Sequence, residues 1–308
     1  MNQINFKSPG LDLNQLRTFF TFGQVKSHKE TARLLHVTQP AVSHALKKLT
    51  DSVGSALVAR QGQRYVLTDA GERLHRSCAA IFYEIERAEE DLRQTLHQQP
   101  SQVVLGATVE FGTTLLIKQM AMFQAAHSAI HVDYLFSHSL LDRLLRDEVD
   151  LIIDCWTHQH PALTVIPLLT ERYIVVAAPM FIDRHRVETP QDLSAVPVLS
   201  LDSAGAWWNN FLTMLSAAER PVFQHLIQIN HIRGLINGAV AGMGVALVPR
   251  YTVAQELASN TLVELLPGWP LKDDEFCIYV KSARRDLVKL ATVISYLNAA
   301  FAGLGGTI

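Results

Sequence analysis

The sequence predicts a multidomain chain: an N-terminal winged helix-turn-helix, one long linker helix, and a C-terminal α/β body. Three observations lead there. Residues 1–66 carry nine Lys/Arg and three Asp/Glu, net +6, whereas the rest of the chain carries 18 bases and 26 acids, net −8. Apolar residues recur at helical spacing up to Leu57, then at alternating steps of four and three along a second stretch. Beyond Pro100, strand-like and helix-like segments alternate.

The whole-chain figures agree with several folded domains. The chain has 308 residues, 48% of them apolar and 18% charged, which argues for buried cores and against disorder. The formal net charge of −2 averages two opposed parts, the pattern of a basic binding module on an acidic body. No apolar run approaches the ~18 residues needed to span a bilayer, so no membrane partner is expected. The first residues lack the apolar core of a signal peptide, which makes the cytosol the expected compartment. Cys78, Cys155 and Cys277 are too few and too far apart for a disulfide framework or a four-cysteine zinc site.

In the first module the apolar groups are Leu16, Phe19 and Phe20, then Ala32 and Leu35, then Val42, Leu46, Leu49 and Val53. Between the second and third groups stand His36, Val37, Thr38, Gln39 and Pro40. Thr38 suits a helix N-cap, and Pro40 fits a first turn, where the amide hydrogen it lacks has no partner anyway. Two short helices joined so tightly form a helix-turn-helix whose second helix can enter a major groove. Burying Val42, Leu46 and Leu49 turns Gln39, Ser43, His44, Lys47 and Lys48 outward. Gln can pair with adenine, Ser is permissive, and Lys suits phosphate or guanine. After Gly54, the pattern of strand, basic turn and strand makes a wing carrying Arg60 and Arg64. Residues 1–68 form this module.

Residues 69–99 form the linker. Thr68, Asp69, Ala70, Gly71 and Glu72 open a helix that Pro100 closes. Leu74, Cys78, Ile81, Ile85, Ala88, Leu92 and Thr95 make an a/d seam, with Glu84, Glu86, Arg87, Glu89, Glu90, Asp91 and Arg93 off it. So narrow a stripe calls for pairing with a second copy. The alternative is packing on the chain's own body. Cys78 reads as a small packed residue rather than a redox sensor.

Residues 100–308 form the body. Strands are expected over 103–107, 131–136, 150–154, 172–178, 197–201, 223–229, 244–248 and 276–280. Helices are expected over 113–126, 139–146, 206–215, 231–241, from 251 onward, and over 285–301. The first half reads as a parallel α/β unit.

The segments LDLNQLRTFF (11–20), TARLLHVTQPAVSHALKKL (31–49) and LTDAGERL (67–74) resemble the N-terminal signature of LysR-type transcriptional regulators. VVLGAT (103–108), LLDRLLRDEVDLII (140–153) and VAGMGVALVPR (240–250) resemble that family's effector-binding domain. The resemblance implies a multidomain α+β/α-β chain. Its C-terminal domain would be two-lobed and periplasmic-binding-protein-like, with lobe I at about 100–166 and 267–308 and lobe II at about 167–266. It also implies that Gln39, Pro40, Ser43 and His44 face DNA, with a basic wing residue at Arg60; the residues themselves add Thr38, Lys47, Lys48 and Arg64 to that DNA-binding set. Dimerisation would run through the linker, at Leu74, Cys78, Ile81, Ile85, Ala88 and Leu92, with a homotetramer favoured. His44 departs from a common Arg, Thr50 from a usual Glu, and Val58 from a usual Phe. The first departure bears on base preference, the others on packing.

In open α/β sheets, ligands sit beyond strand carboxyl ends. That rule and the family pattern nominate Thr108, Glu110, Thr113, Cys155, Trp156, Asp202, Ser203, Asn230, His231 and Arg233 as effector-binding residues. Arg233 or the Thr113 hydroxyl suits a carboxylate, Glu110 and Asp202 suit an amine or a hydroxyl-rich ligand, and together they suit a zwitterion. Trp207 and Trp208 offer one stacking surface and one core residue. Cys155, His158 and His160 resemble a metal cluster but lack a fourth ligand, so neither a metal nor a cofactor is expected.

The function read from these features is DNA-binding transcription regulation modulated by a small-molecule effector, with double-stranded promoter DNA, a second copy and RNA polymerase as partners. An enzyme with a helical appendage is the rival reading. It lacks both a Gly-x-Ser-x-Gly elbow and a phosphate-cradling loop after a strand. A solute-binding protein would leave residues 1–98 without a role.

Overall fold

The computed structural model describes residues 11–96 and 100–303, apart from the side chains of Glu90, Asp91 and residues 93–96. Thr95 of the seam, with Glu90, Asp91 and Arg93 beside it, therefore lies outside the described residues, as do 1–10, 97–99 and 304–308 of the outlined domains.

The first domain is built on capped helices. The Asp12 carboxylate accepts the Gln15 amide at 3.0 Å to start α1 (Leu13–Val25), and Lys26, in the left-handed region at φ 51°, ends it. Ser27 caps α2 (His28–Leu34), and Thr38 Oγ1 accepts the Ala41 amide at 3.4 Å to start α3 (Gln39–Val53). Each such cap is worth about 1 kcal/mol. Gly54, at φ 71°, stops α3, a backbone angle that disfavours other residues. Phe19, Phe22, Val42, Leu46, Leu49 and Leu57 close a single core beneath the three helices. The wing pairs β1 (Val58–Gln61) antiparallel with β2 (Arg64–Leu67).

The long helix α4 (Asp69–Leu96) is shared between two cores. Leu74, Cys78 and Phe82 pack into the helix-turn-helix core, while Tyr83 packs against the core of the first α/β lobe. The expected seam needs correction here. Cys78 is fully buried by its own chain and has no surface for a second copy, and Leu74 is engaged in the same core. A seven-residue repeat gives no indication of which neighbour takes its inner positions. Ile81, Ala88 and Leu92 remain exposed, and Ile85 is half-buried.

Lobe I comprises β3 (Ser101–Ala107), α5 (Val109–Phe111), a π-helical turn (Gly112–Leu116), α6 (Ile117–Ala126), β4 (Ile130–Phe136), α7 (Leu141–Leu145), β5 (Leu151–Asp154) and β6 (Leu163–Glu171). Lobe II comprises β7 (Tyr173–Ala177), α8 (Pro179–Ile182), β8 (Pro197–Ser200), α9 (Asn209–Leu212), β9 (His225–Gln228), α10 (Ile232–Val240), β10 (Val245–Pro249), α11 (Ala254–Ala258) and β11 (Val263–Leu265). The chain then returns to lobe I through β12 (Asp274–Lys281) and α12 (Val288–Ala302). The strand orders are β4-β3-β5-β12-β6 and β11-β7-β10-β8-β9.

Both sheets are mixed, although the three strands expected in the first half do run parallel to one another. β3 runs parallel to β4 and β5, but β12 is antiparallel to β5 and β6 because it brings the chain back from the other lobe. In lobe II, β7 runs against β10 and β11. β6 and β11 were not anticipated. Pro167 reads as a breaker, yet it lies on an edge strand, beside a register shift in β12, where a missing amide hydrogen is tolerated. Lobe I therefore keeps the chain to Glu171 and regains it at Asp274, later on both counts than the outlined 166 and 267.

Candidate functional site

The outer face of α3 is solvated along its length. Thr38, Gln39, Pro40, Ser43, His44, Lys47 and Lys48 are all exposed, and Val42, Leu46 and Leu49 face inward. Arg60 and Arg64 are exposed on the wing, where the Arg60 Nε donates to the Gly62 carbonyl at 3.0 Å and Gly62 supplies the turn at φ 62°. An exposed helix bearing Gln, Ser, His and two lysines, with a basic turn beside it, can reach base edges and phosphates together.

A second cluster lies where the two lobes meet. Glu110, at the start of lobe I's first helix, is buried to 8% exposure, and its Oε1 has no hydrogen-bond partner. Facing it from lobe II is His231, with Nδ1 at 3.7 Å. His231 caps α10, its Nδ1 accepting the Arg233 amide at 3.2 Å. Behind them, at the crossovers, the Tyr173 hydroxyl lies 2.8 Å from Glu171 and 3.1 Å from Asp274, and Asn210 donates to Asp274 at 2.9 Å. Tyr251 also bonds Glu171. Burial raises the Glu171 carboxyl to about 7 against the opposing Tyr173 bond, and the charge of Asp274 adds to the rise.

The nominated residues fare unevenly. Thr108 is buried beside Glu110, and Cys155 is half-buried, its thiol pushed well up by burial and by the charges of Glu171, Asp154 and Asp274. The Thr113 hydroxyl donates to the Val109 carbonyl at 2.7 Å. Trp156 is 66% exposed, and Ser203 and Asn230 are exposed.

Two nominations do not fit. Arg233 reaches the Glu256 carboxylate at 2.7 Å and the Thr252 carbonyl at 3.0 Å, so it is held within lobe II. Asp202 accepts the amides of Ala204, Ala206 and Trp207 and serves its own loop. Sequence spacing reveals strand ends but not such local partners. Trp208 is core, and Trp207 is half-buried with its indole donating to the Leu247 carbonyl. His158 bonds Asp154 at 2.8 Å, and among the described residues no three His, Cys, Asp or Glu side chains converge as a metal site.

Sequence reasoning missed Glu171, Tyr173, Asn210, Tyr251 and Asp274. Glu171 ends the unanticipated strand β6, and Asp274 begins β12 ahead of the expected 276. No described helix is long and apolar enough to cross a membrane.

Comparison with known proteins bears on both clusters. Residues 13–72 match the model of the bacterial regulatory helix-turn-helix protein, lysR family, and residues 97–302 match the LysR substrate binding domain. The glycine cleavage system transcriptional activator of Escherichia coli (strain K12) is 25% identical over 293 residues, covering 93% of each chain. The RuBisCO operon transcriptional regulator of Allochromatium vinosum is 24% identical, covering 89% of this chain and 91% of its own. Among solved structures, ArgP from Mycobacterium tuberculosis superposes with a TM-score of 0.71 at 22% identity, over 95% of this chain and 98% of that one. Full-length LysG from Corynebacterium glutamicum with bound effector Arg gives 0.68 at 18% identity, over 95% and 99%.

Proposed function

Since the chain belongs to the LysR-type transcriptional regulators, DNA-binding proteins with an effector-binding domain and not enzymes, we propose how its residues divide that work. Residues 1–68 hold operator DNA, 69–99 join two copies, and 100–308 receive the effector. Gln39, Ser43 and His44 read bases, Thr38 and Pro40 start the reading helix, and Lys47, Lys48, Arg60 and Arg64 hold phosphates. The observation that carries this reading is the exposure of Gln39, Ser43, His44, Lys47 and Lys48 along α3's outer face, with Val42, Leu46 and Leu49 turned inward.

The effector sits between the lobes, against Thr108, Glu110, Cys155 and His231. A ligand there acts only if it binds one lobe arrangement better than another. That LysG is solved with a bound amino-acid effector supports a small molecule in this role. The exposed Ile81, Ala88 and Leu92 form the apolar face for a second copy, which places two recognition helices on two half-sites. A dimer of dimers, contact with RNA polymerase and residence in the cytoplasm complete the proposal.

Fluorescence anisotropy of the full chain on the DNA upstream of its own gene tests the reading. Tight binding that weakens when Gln39 and Ser43 are changed to Ala is expected. Equal affinity for that DNA and for a scrambled duplex would sink it.

A further inference from the structure

We propose that the ligand of the interlobe cleft carries a cationic nitrogen, an ammonium or guanidinium group, and that Glu110 is its counter-ion with the His231 imidazole beside it. The proposal rests on the cleft being the effector site and specifies the chemistry that the site selects.

The first argument is an unmet acceptor. Glu110 is more than nine-tenths buried, and its Oε1 has no hydrogen-bond partner. Isolating a carboxylate in this way is costly unless something donates to it. The group facing it is His231 Nδ1 at 3.7 Å. That nitrogen already accepts the Arg233 amide, so its lone pair is directed to the backbone and it offers Glu110 no hydrogen. Two acceptors on opposite lobes therefore confront each other without a donor between them. A ligand with several N–H groups supplies the donor that Glu110 lacks, with the imidazole packed beside it.

The second argument is the field around them. Glu171 and Asp274 stand at the crossovers behind Glu110, and the charges of Asp274 and Glu110 both act to raise the Glu171 carboxyl. The arginines that could reverse this field are committed elsewhere, Arg233 to Glu256 and Arg172 within 3.9 Å of Asp273. An anionic ligand would meet like charge, whereas a cation lowers the mutual repulsion. Because Glu110 belongs to lobe I and His231 to lobe II, a cation bound to Glu110 with the imidazole beside it touches both lobes. This is the differential contact a switch requires.

The test uses the full chain with three probes: agmatine, which is cationic without a carboxylate, L-arginine, and glutarate. Calorimetric titration and thermal melts near neutral pH should show binding of agmatine or arginine and none of glutarate. Glu110→Gln should weaken that binding about tenfold or more, since a charge-assisted bond is lost. Glu110→Asp should restore part of it, and circular dichroism checks that both variants fold. Binding of glutarate alone, lost in Glu110→Ala, would keep the site and overturn the cationic class. Cation binding that is indifferent to Glu110→Gln would overturn the placement in the cleft. Silence from all three probes would overturn the cationic class as well.

Discussion

Glu171 and Asp274 stand directly opposite one another in the register of β6 and β12, and the Tyr173 hydroxyl lies within 2.8 Å of the first and 3.1 Å of the second. One phenolic proton cannot serve two ionised carboxylates at once. The two strands that carry the chain between lobes thus set Glu171 in a buried place beside the Asp274 charge, and both effects favour a proton on Glu171.

This pair gives the stability a definite pH dependence. Glu171 titrates near 7 in the folded chain, against an ordinary value of 4.5. Between those values the folded state holds a proton that the unfolded chain has released. Its contribution is therefore complete below about 4.5 and is lost as pH rises through about 7. Glu171→Gln, which stays neutral, should be more stable than the parent above neutrality by about 2 kcal/mol and should flatten the slope. Urea denaturation across that range checks this, and parallel curves for parent and variant would contradict it.

The phosphate contacts assigned to α3 have a salt signature. Lys47→Ala or Lys48→Ala should each flatten the plot of log affinity against log salt by ~0.9, with equal effect on specific and unrelated DNA. Anisotropy titrations at several KCl concentrations provide the slopes. Unchanged slopes would remove these lysines from the interface.

Ile81 and Leu92 are 38% and 60% exposed on α4. Changing both to Asp should shift the sedimenting species toward monomer while leaving the helical content intact. Oligomers that survive the double change would move the interface off α4.

Cys78 should behave as a core residue and not as an interface residue. Burial pushes its thiol up to about 11, so alkylation near neutral pH should proceed only through unfolding. Cys78→Ser should cost about 1–3 kcal/mol in the DNA-binding domain by burying a hydroxyl in an apolar core. Rapid labelling of the folded chain at Cys78 would contradict its placement.

Arg284 joins α4 to lobe I. Its Nε donates to Glu86 at 3.0 Å, and its guanidinium also lies 3.0 Å from Asp150 and 3.4 Å from Asp147. Arg284→Met removes the cation shared by Glu86, Asp147 and Asp150, although Lys281 stays 2.7 Å from Asp147 and Lys289 3.8 Å from Glu86, and should cost about 3 kcal/mol. Hydrogen exchange should then rise in α4 around Glu86. A change confined to lobe I would show that the contact does not hold the helix.

Much of this was legible in the sequence. The cap at Thr38, the inward triplet Val42, Leu46 and Leu49, and the wing all follow from short-range rules of helix termination and periodicity. In the body, the buried strands announced themselves as apolar runs. Where the sequence fell short, a distant partner decided the outcome. Cys78 fits a dimer seam equally well until Phe82 and the helix-turn-helix core claim it. Arg233 looked free for a carboxylate until Glu256, 23 positions on in the chain, took it. Glu171 and Asp274 are separated by the whole of lobe II, and only the β6–β12 register makes them neighbours.

Within little more than two turns, the helix α4 contributes Cys78 and Phe82 to one core, Tyr83 to another, and Glu86 to the Arg284 ion pair. Each residue step rotates a helix by about 100°, so Tyr83 leaves the rod in a different direction from its neighbour Phe82. A slip or roll of that rod would empty both cores together. The helix-turn-helix therefore cannot be re-aimed by twisting α4 alone. Any motion that changes where α3 meets DNA has to carry lobe I with it or break the Arg284 contact. If two copies pair through Ile81, Ala88 and Leu92 as proposed, the angular freedom between their DNA-reading heads is then set at that surface, not within the single chain.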